Sequence, residues 1–408
     1  MLIENVDVNT AFLYGEVKEE IYMDQPDGFV DEEHREKKCF LNKALYGTKQ
    51  AAYEWNNRLN AHLEGQEFTR AAADLCVYVR QSDIEYSLVI IHVDDLMIFA
   101  RTQEDIDKIK QALKTEFSIK EDGELKYCLG IEIHRDRPSK TIRMNQRSYI
   151  KRLTERFGVD SCKDVYTPSN ESEKLSKLDP SEECINKWPY RELIGALMYI
   201  ATCTRPDIMH AVGEAAKYCE RYGKMHWIAA KRILKYLKTT ADYSIQFDGK
   251  SKGELIGFAD ASWASDVDSR RSTTGYVFFL NGSVVSWKSK RQPTVATSST
   301  EAEYMALYSA TQEVIWLRLL LGDLGHAPCM GTMIYEDNQG CIALAKNPVF
   351  HSRTKHIDIK FHFLREKIEE GVMKLEYKPT TDMIADGLTK ALGRTKHGIF
   401  LQGLHLEP

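Results

Sequence analysis

Two adjacent carboxylates, Asp94 and Asp95, interrupt the otherwise apolar stretch from Ser87 to Ala100. Carboxylates are almost never buried unless they are paired or bind a metal ion, so their position between two apolar runs requires a reason. Both runs are rich in β-branched residues and have the length of strands, which predicts a hairpin with the acidic pair at its tip. A divalent cation would offset the repulsion between the two charges. A solvated turn that happens to carry two aspartates is the alternative, and this stretch alone leaves both open.

A second group of acidic residues stands where predicted strands and helices of the second half end. Asp260 and Asp337 each close a strand, Glu303 lies early on a long helix, and Asp386 lies on the last helix. Strand ends and adjoining helices bring distant residues to one edge of a sheet, where these carboxylates would repel one another without hard cations among them. A two-metal site, with ions about 3.5–4 Å apart, suits in-line phosphodiester chemistry.

Other residues near these acids are interpreted as structural. With the predicted helix and strand registers, Glu301 and Glu336 point away from the site and lie at the surface. The spacing of His351, His356 and His362 invites a zinc assignment, but no cysteine partners fit nearby. These histidines are therefore assigned to packing or to the surface.

Two sequence features bear on nucleic-acid binding. Basic residues are frequent between Arg135 and Arg156, with Tyr149 among them. This pattern suits a phosphate backbone but is also typical of a solvated helix face. Trp55, Trp227 and Trp316 lie on helical stripes, which favours core positions over base-stacking platforms.

The elements that must position these residues fall into two groups. Up to about residue 117, strands and helices follow in the order βαββα, which predicts a small α+β sheet domain. A polar segment, Thr167 to Asn186, is a linker candidate, and a helical region runs from Pro189 to Leu237. From Gly253 onward, the sequence has three strand signals, a long helix with Thr300 as its candidate cap, and further strands and helices. This order predicts a mixed sheet covered by helices.

Length and composition bound the protein class. The 408 residues suffice for two or three domains, and 43% apolar with 28% charged residues is typical of a soluble globular protein. The net charge of −5 gives no global sign of nucleic-acid affinity, so such a partner would need local basic surface. Nine cysteines without a CxxC pair indicate reduced thiols, and no apolar run reaches membrane-spanning length. We expect a location in the cytoplasm or nucleus.

A series of motifs, taken in order, identifies a family. The chain resembles the reverse transcriptase and ribonuclease H portion of copia-type LTR retrotransposon Pol polyproteins over nearly its full length. The motifs are DVNTAFLYG, IYMDQPDGF, ALYGTKQA, HVDD, LGIEI, PYRELIGALMYIATCTRPDI, FADASWASD, RRSTTGYVFFL, SSTEAEYMAL, EDNQGCIALAKNP, HSRTKHIDIKFHFLRE and IADGLTK.

The resemblance implies a role for each acidic group. Asp7 with Asp94 and Asp95 is similar to the polymerase triad that holds two Mg²⁺ ions, with Mn²⁺ as a substitute, for nucleotidyl transfer. The ribonuclease H acids would activate water against the RNA strand of an RNA–DNA hybrid, using two further ions. The LGIEI segment is similar to the one that grips the primer. The ribonuclease H positions are Asp260, Glu303, Asp337 and Asp386, and the nucleotide-binding positions are Phe12 as steric gate with Tyr46, Gly47, Lys49 and Gln50.

The same resemblance implies a domain plan and a set of partners. Residues 1–134 correspond to a reverse transcriptase palm without its fingers, 135–245 to a thumb or connection region containing the polar linker 167–186, 250–392 to ribonuclease H, and 393–408 to a C-terminal tail. The implied partners are an RNA template, a DNA primer, the RNA–DNA hybrid and deoxynucleoside triphosphates, with no membrane. The intact element would assemble in a virus-like particle.

Several positions depart from the family pattern. His92, Thr48, Ala52 and Cys128 replace the usual Tyr, Leu, Pro and an aromatic residue, and the loop before Asp386 carries no histidine. The absent fingers would leave an incoming nucleotide poorly oriented, so we expect little polymerisation and favour hybrid cleavage. A catalytically inactive transposon relic that binds nucleic acid is the alternative. A cellular ribonuclease H with an unrelated N-terminal domain is disfavoured because residues 1–240 match the transposon motifs densely.

Overall fold

The computed structural model describes residues 1–82, 85–179, 181, 187–250, 253–346 and 358–408, without the side chains of 358–361. The chain forms two compact units, one of residues 1–125 with 317–327 and one of residues 126–316 with 328–408. His351, His356 and most of residues 180–186 of the predicted linker lie outside the described residues. Within the described part of the chain, no helix is long and apolar enough to cross a membrane, and all eight cysteines are free thiols.

The first unit is built on one antiparallel sheet with the strand order β4-β5-β6-β7-β1-β8, accompanied by α-helices and a separate two-stranded sheet. Its elements are β1 (Leu2–Val8), β2 (Tyr22–Met23), β3 (Cys39–Phe40), α1 (Lys49–Gly65), β4 (Thr69–Arg70), β5 (Val77–Gln81), β6 (Tyr86–His92), β7 (Asp95–Ala100), α2 (Gln103–Lys114) and β8 (Ile119–Glu124).

The core of this unit lies between one face of the sheet and the two helices. Alternate residues of the central strands, such as Val6 and Ile98, are fully buried against Leu59 of α1 and Ile106 of α2. The intervening residues point to the opposite face, as the period of two in a strand requires. The predicted α+β sheet domain is thus confirmed.

The second unit contains two five-stranded sheets and the remaining helices. Its elements are β9 (Tyr127–Cys128), β10 (Ile131–Asp136), β11 (Thr141–Asn145), α3 (Arg147–Arg156), α4 (Tyr190–Cys203), α5 (Met209–Ala216), α6 (Lys224–Thr239), β12 (Ser244–Asp248), β13 (Leu255–Ser262), β14 (Thr273–Leu280), β15 (Ser283–Arg291), α7 (Ser299–Asp323, the last turns of which belong to the first unit), β16 (Thr332–Glu336), α8 (Gln339–Lys346), α9 (Asp358–Glu369), β17 (Met373–Tyr377), α10 (Arg394–Gly403) and β18 (Leu406–Glu407).

One of the two sheets is mixed and has the order β15-β14-β13-β16-β17. Strand β13 pairs antiparallel with β14 and parallel with β16, and β16 pairs parallel with β17. The β14–β15 turn is formed by Asn281 and Gly282, both with positive φ, as expected of an Asn-Gly hairpin. The mixed sheet with helices that the sequence predicts is confirmed.

The helical region packs directly on the mixed sheet. Leu197 of α4, Ile233 of α6 and Val277 of β14 belong to one buried cluster, and Trp287 Nε1 donates a hydrogen bond to the Ala201 carbonyl oxygen at 2.8 Å. The C-terminal residues take part as well, because α10 packs in this cluster and β18 pairs with β12.

Three sequence predictions about local structure are wrong. Asp386 lies on a 3-10 helix, Ile384–Leu388, and not on an α-helix, which begins only at Arg394. Helix α7 is capped by the Ser298 hydroxyl, which accepts from the Glu301 backbone N–H, and not by Thr300. Trp316 is 40% exposed and so is no core residue, whereas Trp55 is 2% exposed.

The predicted linker lies against the helices where it is described. The Tyr218 hydroxyl donates to the Leu175 carbonyl oxygen at 3.0 Å, and His226 Nε2 lies 2.9 Å from the Ser176 carbonyl oxygen. These contacts attach the polar segment to α6 and to the residues after α5.

Candidate functional site

The predicted hairpin brings the first three aspartates together. Strands β6 and β7 are joined by a two-residue turn of Val93 and Asp94, and Asp95 begins β7. Asp7 stands directly opposite Asp95 in the β1–β7 pair, and the Val8 backbone N–H donates to the Asp94 carbonyl oxygen at 2.8 Å. The hairpin at this sequence position is confirmed, and the catalytic role of its acids remains a prediction.

Strand alternation explains why these acids escape the core. Val6 and Val8 flank Asp7 and are buried, as is Leu96 beside Asp95. Asp7 and Asp95 therefore point to the face of the sheet opposite the helices, and directly opposed residues of antiparallel strands share a face.

The turn that carries Asp94 has an unusual backbone. Val93 has a φ of 60°, in the left-handed region that a β-branched residue rarely adopts. Trp55 Nε1 on α1 donates a hydrogen bond to the Val93 carbonyl oxygen at 2.6 Å. The sequence predicts Trp55 as a core residue but does not predict its hydrogen bond to Val93, because no residue spacing indicates that bond.

The surroundings of Asp7 disfavour its charged form. Burial raises the pKa of Asp7, the negative charges of Asp94, Asp95 and Asp122 raise it further, and Lys120 opposes the rise. Asp122 lies on β8 and forms an ion pair with Lys120 at 2.7 Å. It is an additional acidic residue near the triad that the sequence analysis missed.

The predicted nucleotide-binding residues lie on two neighbouring stretches of the first unit. The Phe12 and Tyr46 ring centroids are 4.6 Å apart, and Tyr46 is exposed. Gly47 has a φ of 98°, and Lys49 and Gln50 occupy the first turn of α1, where backbone N–H groups lack helical partners. Their role in nucleotide binding remains a prediction.

Three of the four acids in the second half converge. Oxygen atoms of Asp260, Glu303 and Asp337 all lie within 4.8 Å of one another, and we call these three residues the acidic cluster. Asp260 is near the end of β13 and Asp337 directly follows β16, and these strands run parallel as neighbours. Glu303 reaches the same edge from the second turn of α7. The backbone N–H of Ala261, on β13, donates a hydrogen bond to its carboxylate.

The two acids predicted to lie at the surface are buried. Glu336 is fully buried because burial alternates along β16 and its side chain shares a face with Ile334. Glu301 is buried because its carboxylate accepts from the Thr297 backbone N–H at 2.8 Å and from the Thr297 hydroxyl at 2.6 Å, which closes the start of α7.

Asp386 lies beside the acidic cluster and forms an ion pair with Lys390. It is not among the three mutually close acids, but its charge is the second cause, after burial, that raises the pKa of Asp260. Lys390 Nζ lies 2.8 Å from Asp386 Oδ1. The i, i+4 spacing of Asp386 and Lys390 was a usable sequence signal.

The protonation of the acidic cluster shows how strongly its charges interact. Burial and the charge of Asp386 raise the pKa of Asp260 to about 7. Burial, followed by the charge of Glu336, raises the pKa of Glu303, and burial also raises that of Glu336 well above its ordinary range. This many carboxylates cannot be ionised together without a compensating positive charge.

The donor set fits a hard divalent cation. All side-chain donors are carboxylate oxygens, which Mg²⁺ and Mn²⁺ prefer. Glu303 Oε2 is buried and has no hydrogen-bond partner among the residues that the structure describes, and such an oxygen is costly to bury unless a cation or proton binds it. The residues present therefore suit the metal ions that the sequence predicts.

Comparison with known families adds an independent observation. A family model described as "Reverse transcriptase (RNA-dependent DNA polymerase)" matches residues 1–171. This range includes the triad Asp7, Asp94 and Asp95 and the predicted nucleotide-binding residues.

Similar chains come from transposons. The chain is 40% identical over 99% of its length to the "Retrovirus-related Pol polyprotein from transposon TNT 1-94" of Nicotiana tabacum, covering 31% of that protein. It is 38% identical over 96% of its length to that from transposon RE2 of Arabidopsis thaliana, covering 27%. A transposon Ty5-1 protein of Saccharomyces cerevisiae is 31% identical and is covered completely, over 76% of this chain. The chain thus spans between a quarter and a third of the two Pol polyproteins.

Solved structures show only distant likeness. A ribonuclease H1 isolated from compost is 18% identical, with 34% of this chain and 94% of that chain covered, at a TM-score of 0.27. A foamy viral protease-reverse transcriptase in complex with double-stranded DNA is 11% identical, with 93% of this chain and 59% of that chain covered, at a TM-score of 0.22. Scores this low carry no weight for fold or function.

Proposed function

Because this chain belongs to the family of copia-type retrotransposon Pol polyproteins, we propose that its second unit cleaves the RNA strand of an RNA–DNA hybrid. The observation that carries the proposal is the convergence of Asp260, Glu303 and Asp337 within 4.8 Å at the ends of two parallel strands. Acidic residues gathered in this way at a sheet edge suit hydrolysis of a phosphodiester.

The fold fixes the positions of the three carboxylates that would bind the metal ions. Asp260 and Asp337 are fixed at adjacent strand ends, and Glu303 is oriented by the Ala261 backbone N–H, so the three carboxylates bind cations with little rearrangement. When bound, Mg²⁺ or Mn²⁺ ions lower the pKa of a water molecule and neutralise charge on the phosphate. Asp386 supplies a fourth carboxylate beside them, with Lys390 as its ion-pair partner.

The substrate class follows from the family and from the chemistry. The 2′-hydroxyl and the duplex shape distinguish an RNA strand from DNA at such a site. We accordingly propose the RNA–DNA hybrid as the partner of the second unit, and the cytoplasm or nucleus remains the expected location.

A labelled RNA–DNA hybrid incubated with the full chain and Mg²⁺ or Mn²⁺ tests the proposal. Cleavage of the RNA strand is expected, and Asp260→Asn should reduce the rate at least about 100-fold because a ligand of the metal is neutralised. Equal traces of cleavage in the chain and in Asp260→Asn would instead support a catalytically inactive protein that binds nucleic acid.

A second candidate function belongs to the first unit. We propose that it retains the RNA-directed DNA polymerase site, because Asp7 faces Asp95 across a strand pair and Asp94 occupies the adjoining turn. These carboxylates would hold Mg²⁺, which when bound activates a primer 3′-hydroxyl and neutralises a triphosphate. The implied partners are an RNA template, a DNA primer and deoxynucleoside triphosphates.

Primer extension on an RNA template tests this second function, with Asp94→Asn as the control. Extension by the chain should be lost in Asp94→Asn, because this substitution neutralises a proposed ligand of Mg²⁺. Extension that disappears in Asp94→Asn would show that the first unit polymerises on its own.

A further inference from the structure

Two threonine hydroxyls hold two carboxylates of the acidic cluster. Thr380 Oγ1 donates a hydrogen bond to Asp337 Oδ2 at 2.6 Å. Thr389 Oγ1 donates to Asp260 Oδ2. Both threonines lie on residues 380–389, so one stretch of chain contacts two of the four predicted metal ligands and carries a third, Asp386.

These hydrogen bonds orient the carboxylates. A hydroxyl that fixes one carboxylate oxygen leaves the other oxygen for a cation and restricts rotation of the side chain. We propose that Thr380 and Thr389 are positioning residues that set the orientation of Asp337 and Asp260 for metal binding. The proposal rests on the proposed ribonuclease function of the second unit and assigns these threonines a part in it.

Packing holds Thr389 next to Asp260. Its side chain is fully buried, and its hydroxyl also lies 3.2 Å from the Asp386 carbonyl oxygen. A Cβ atom at Gly275 on β14 would come within 2.6 Å of Thr389 Cγ2 and 2.9 Å of Leu388 Cβ. The absence of a side chain at Gly275 therefore permits the segment to approach the sheet closely enough for Thr389 to reach Asp260.

Thr380 is placed from the other end of the segment. The Lys378 backbone N–H donates to the Glu336 carbonyl oxygen at 3.0 Å, next to Asp337. Lys378 Nζ also lies 4.4 Å from the centre of the Tyr335 ring. The backbone then turns in the 3-10 helix Thr380–Asp382, which begins with the residue that contacts Asp337.

Mn²⁺ titration of the full chain tests the proposal. The Asp94→Asn/Asp95→Asn background removes the metal site of the first unit, and Asp260→Asn identifies the binding that belongs to the acidic cluster. Thr380→Val and Thr389→Val remove the hydroxyl at nearly constant volume and should weaken Mn²⁺ binding about 10- to 100-fold, as loss of an outer hydrogen-bond partner does. Thr380→Ser and Thr389→Ser should restore it.

A matched control lies next to Thr380. Thr381 is exposed and its hydroxyl contacts Asp382, outside the acidic cluster, so Thr381→Val should leave Mn²⁺ affinity unchanged. In hybrid cleavage, Thr380→Val should lower kcat at saturating substrate while KM for the hybrid stays near its original value, because the hydroxyl orients a metal ligand.

The outcomes separate this proposal from the function it rests on. Unchanged Mn²⁺ affinity in folded Thr380→Val and Thr389→Val, or the absence of any Mn²⁺ binding that Asp260→Asn abolishes, would overturn it. If Thr389→Val fails to fold by near-ultraviolet circular dichroism, the exposed Thr380→Val decides alone. If the unsubstituted chain cleaves the hybrid no faster than Asp260→Asn does, the proposed function is refuted. The Mn²⁺ affinities would still test the role of the two threonines.

Discussion

Trp55 and Val93 are joined by a hydrogen bond from the indole Nε1 to a carbonyl oxygen 2.6 Å away. Trp55 is buried in the core of the first unit, and Val93 forms an exposed turn with a left-handed backbone. A backbone conformation of this kind costs about 1–3 kcal/mol and persists only where surrounding contacts hold it. The buried indole is one such contact, and it ties the turn that carries Asp94 to helix α1.

Replacement of this indole should loosen the turn. Trp55→Phe retains an aromatic ring in the core but removes the N–H donor, and we expect the free energy of unfolding to fall by about 1–2 kcal/mol. Binding of Mn²⁺ to the triad should weaken as well, because Asp94 follows Val93 directly. Urea unfolding, and Mn²⁺ titration in an Asp260→Asn background, measure the two effects.

Tyr53 supplies the control for this substitution. It lies on the exposed face of the same helix, so Tyr53→Phe should change neither stability nor Mn²⁺ binding. Full Mn²⁺ affinity in Trp55→Phe would show that the turn keeps its shape without the indole.

The strands and their acidic residues could be predicted because alternation and apolar runs are local signals. Glu336 was misplaced because burial at a strand end depends on register, and a shift of one residue reverses the face. The 3-10 helix that carries Asp386 could not be foreseen either. A Cβ atom at Gly387 would lie 2.5 Å from the Phe400 ring, so packing between distant residues fixes that backbone. Likewise, Thr389 lies 129 residues from Asp260, and no local pattern links them.

The acidic cluster should make the stability of the metal-free protein depend on pH. The pKa of Asp260 is raised to about 7 in the folded state, so its protonated form favours folding. This contribution is present in full below about pH 4 and is lost as the pH rises through 7. With EDTA present, the free energy of unfolding should therefore fall by about 3 kcal/mol between pH 5 and pH 8 through this group.

Urea unfolding of the chain and of Asp260→Asn at both pH values isolates this effect. The asparagine variant should lose less stability on the same change, and Mn²⁺ should restore stability at pH 8 in the original chain only. Identical pH dependence in the two proteins would contradict the raised pKa.

Lys390 should compete with metal ions for Asp386. Its ammonium lies 2.8 Å from Asp386 Oδ1. Burial lowers the pKa of Lys390, but the charges of Asp260 and Asp386 outweigh burial, so that the pKa is raised overall. Lys390→Met removes this competitor, so Mn²⁺ should bind about two- to fivefold more tightly, as an ion pair of about 0.5–1 kcal/mol implies. The metal-free protein should melt at a lower temperature because the carboxylates lose a counter-charge.

A lysine on β17 serves as the comparison. Lys374 is exposed, and Lys374→Met should leave both the Mn²⁺ affinity and the melting temperature within error. Weaker Mn²⁺ binding in Lys390→Met would indicate that the ammonium assists the metal site and does not compete with it.

Breaking one buried ion pair of the second unit should strongly destabilise the protein. Arg205 donates to both carboxylate oxygens of Asp207, at 2.9 and 2.7 Å, and both side chains are almost completely buried. The Tyr236 hydroxyl donates to Asp207 at 2.6 Å and lies 2.9 Å from His397 Nε2, which attaches helix α10 to the pair. Arg205→Met strands the Asp207 charge in a low-dielectric environment, so we expect a loss of about 3–5 kcal/mol.

The exposed pair of Arg147 and Asp242, 3.0 Å apart, provides a scale for this loss. Arg147→Ala should cost less than about 1 kcal/mol because water solvates both charges after the pair is broken. Adding Asp207→Leu to Arg205→Met should recover part of the stability, since it removes the isolated charge. Urea unfolding of the four proteins measures these differences, and a loss in Arg205→Met no larger than that in Arg147→Ala would show that water or a neighbouring group compensates Asp207.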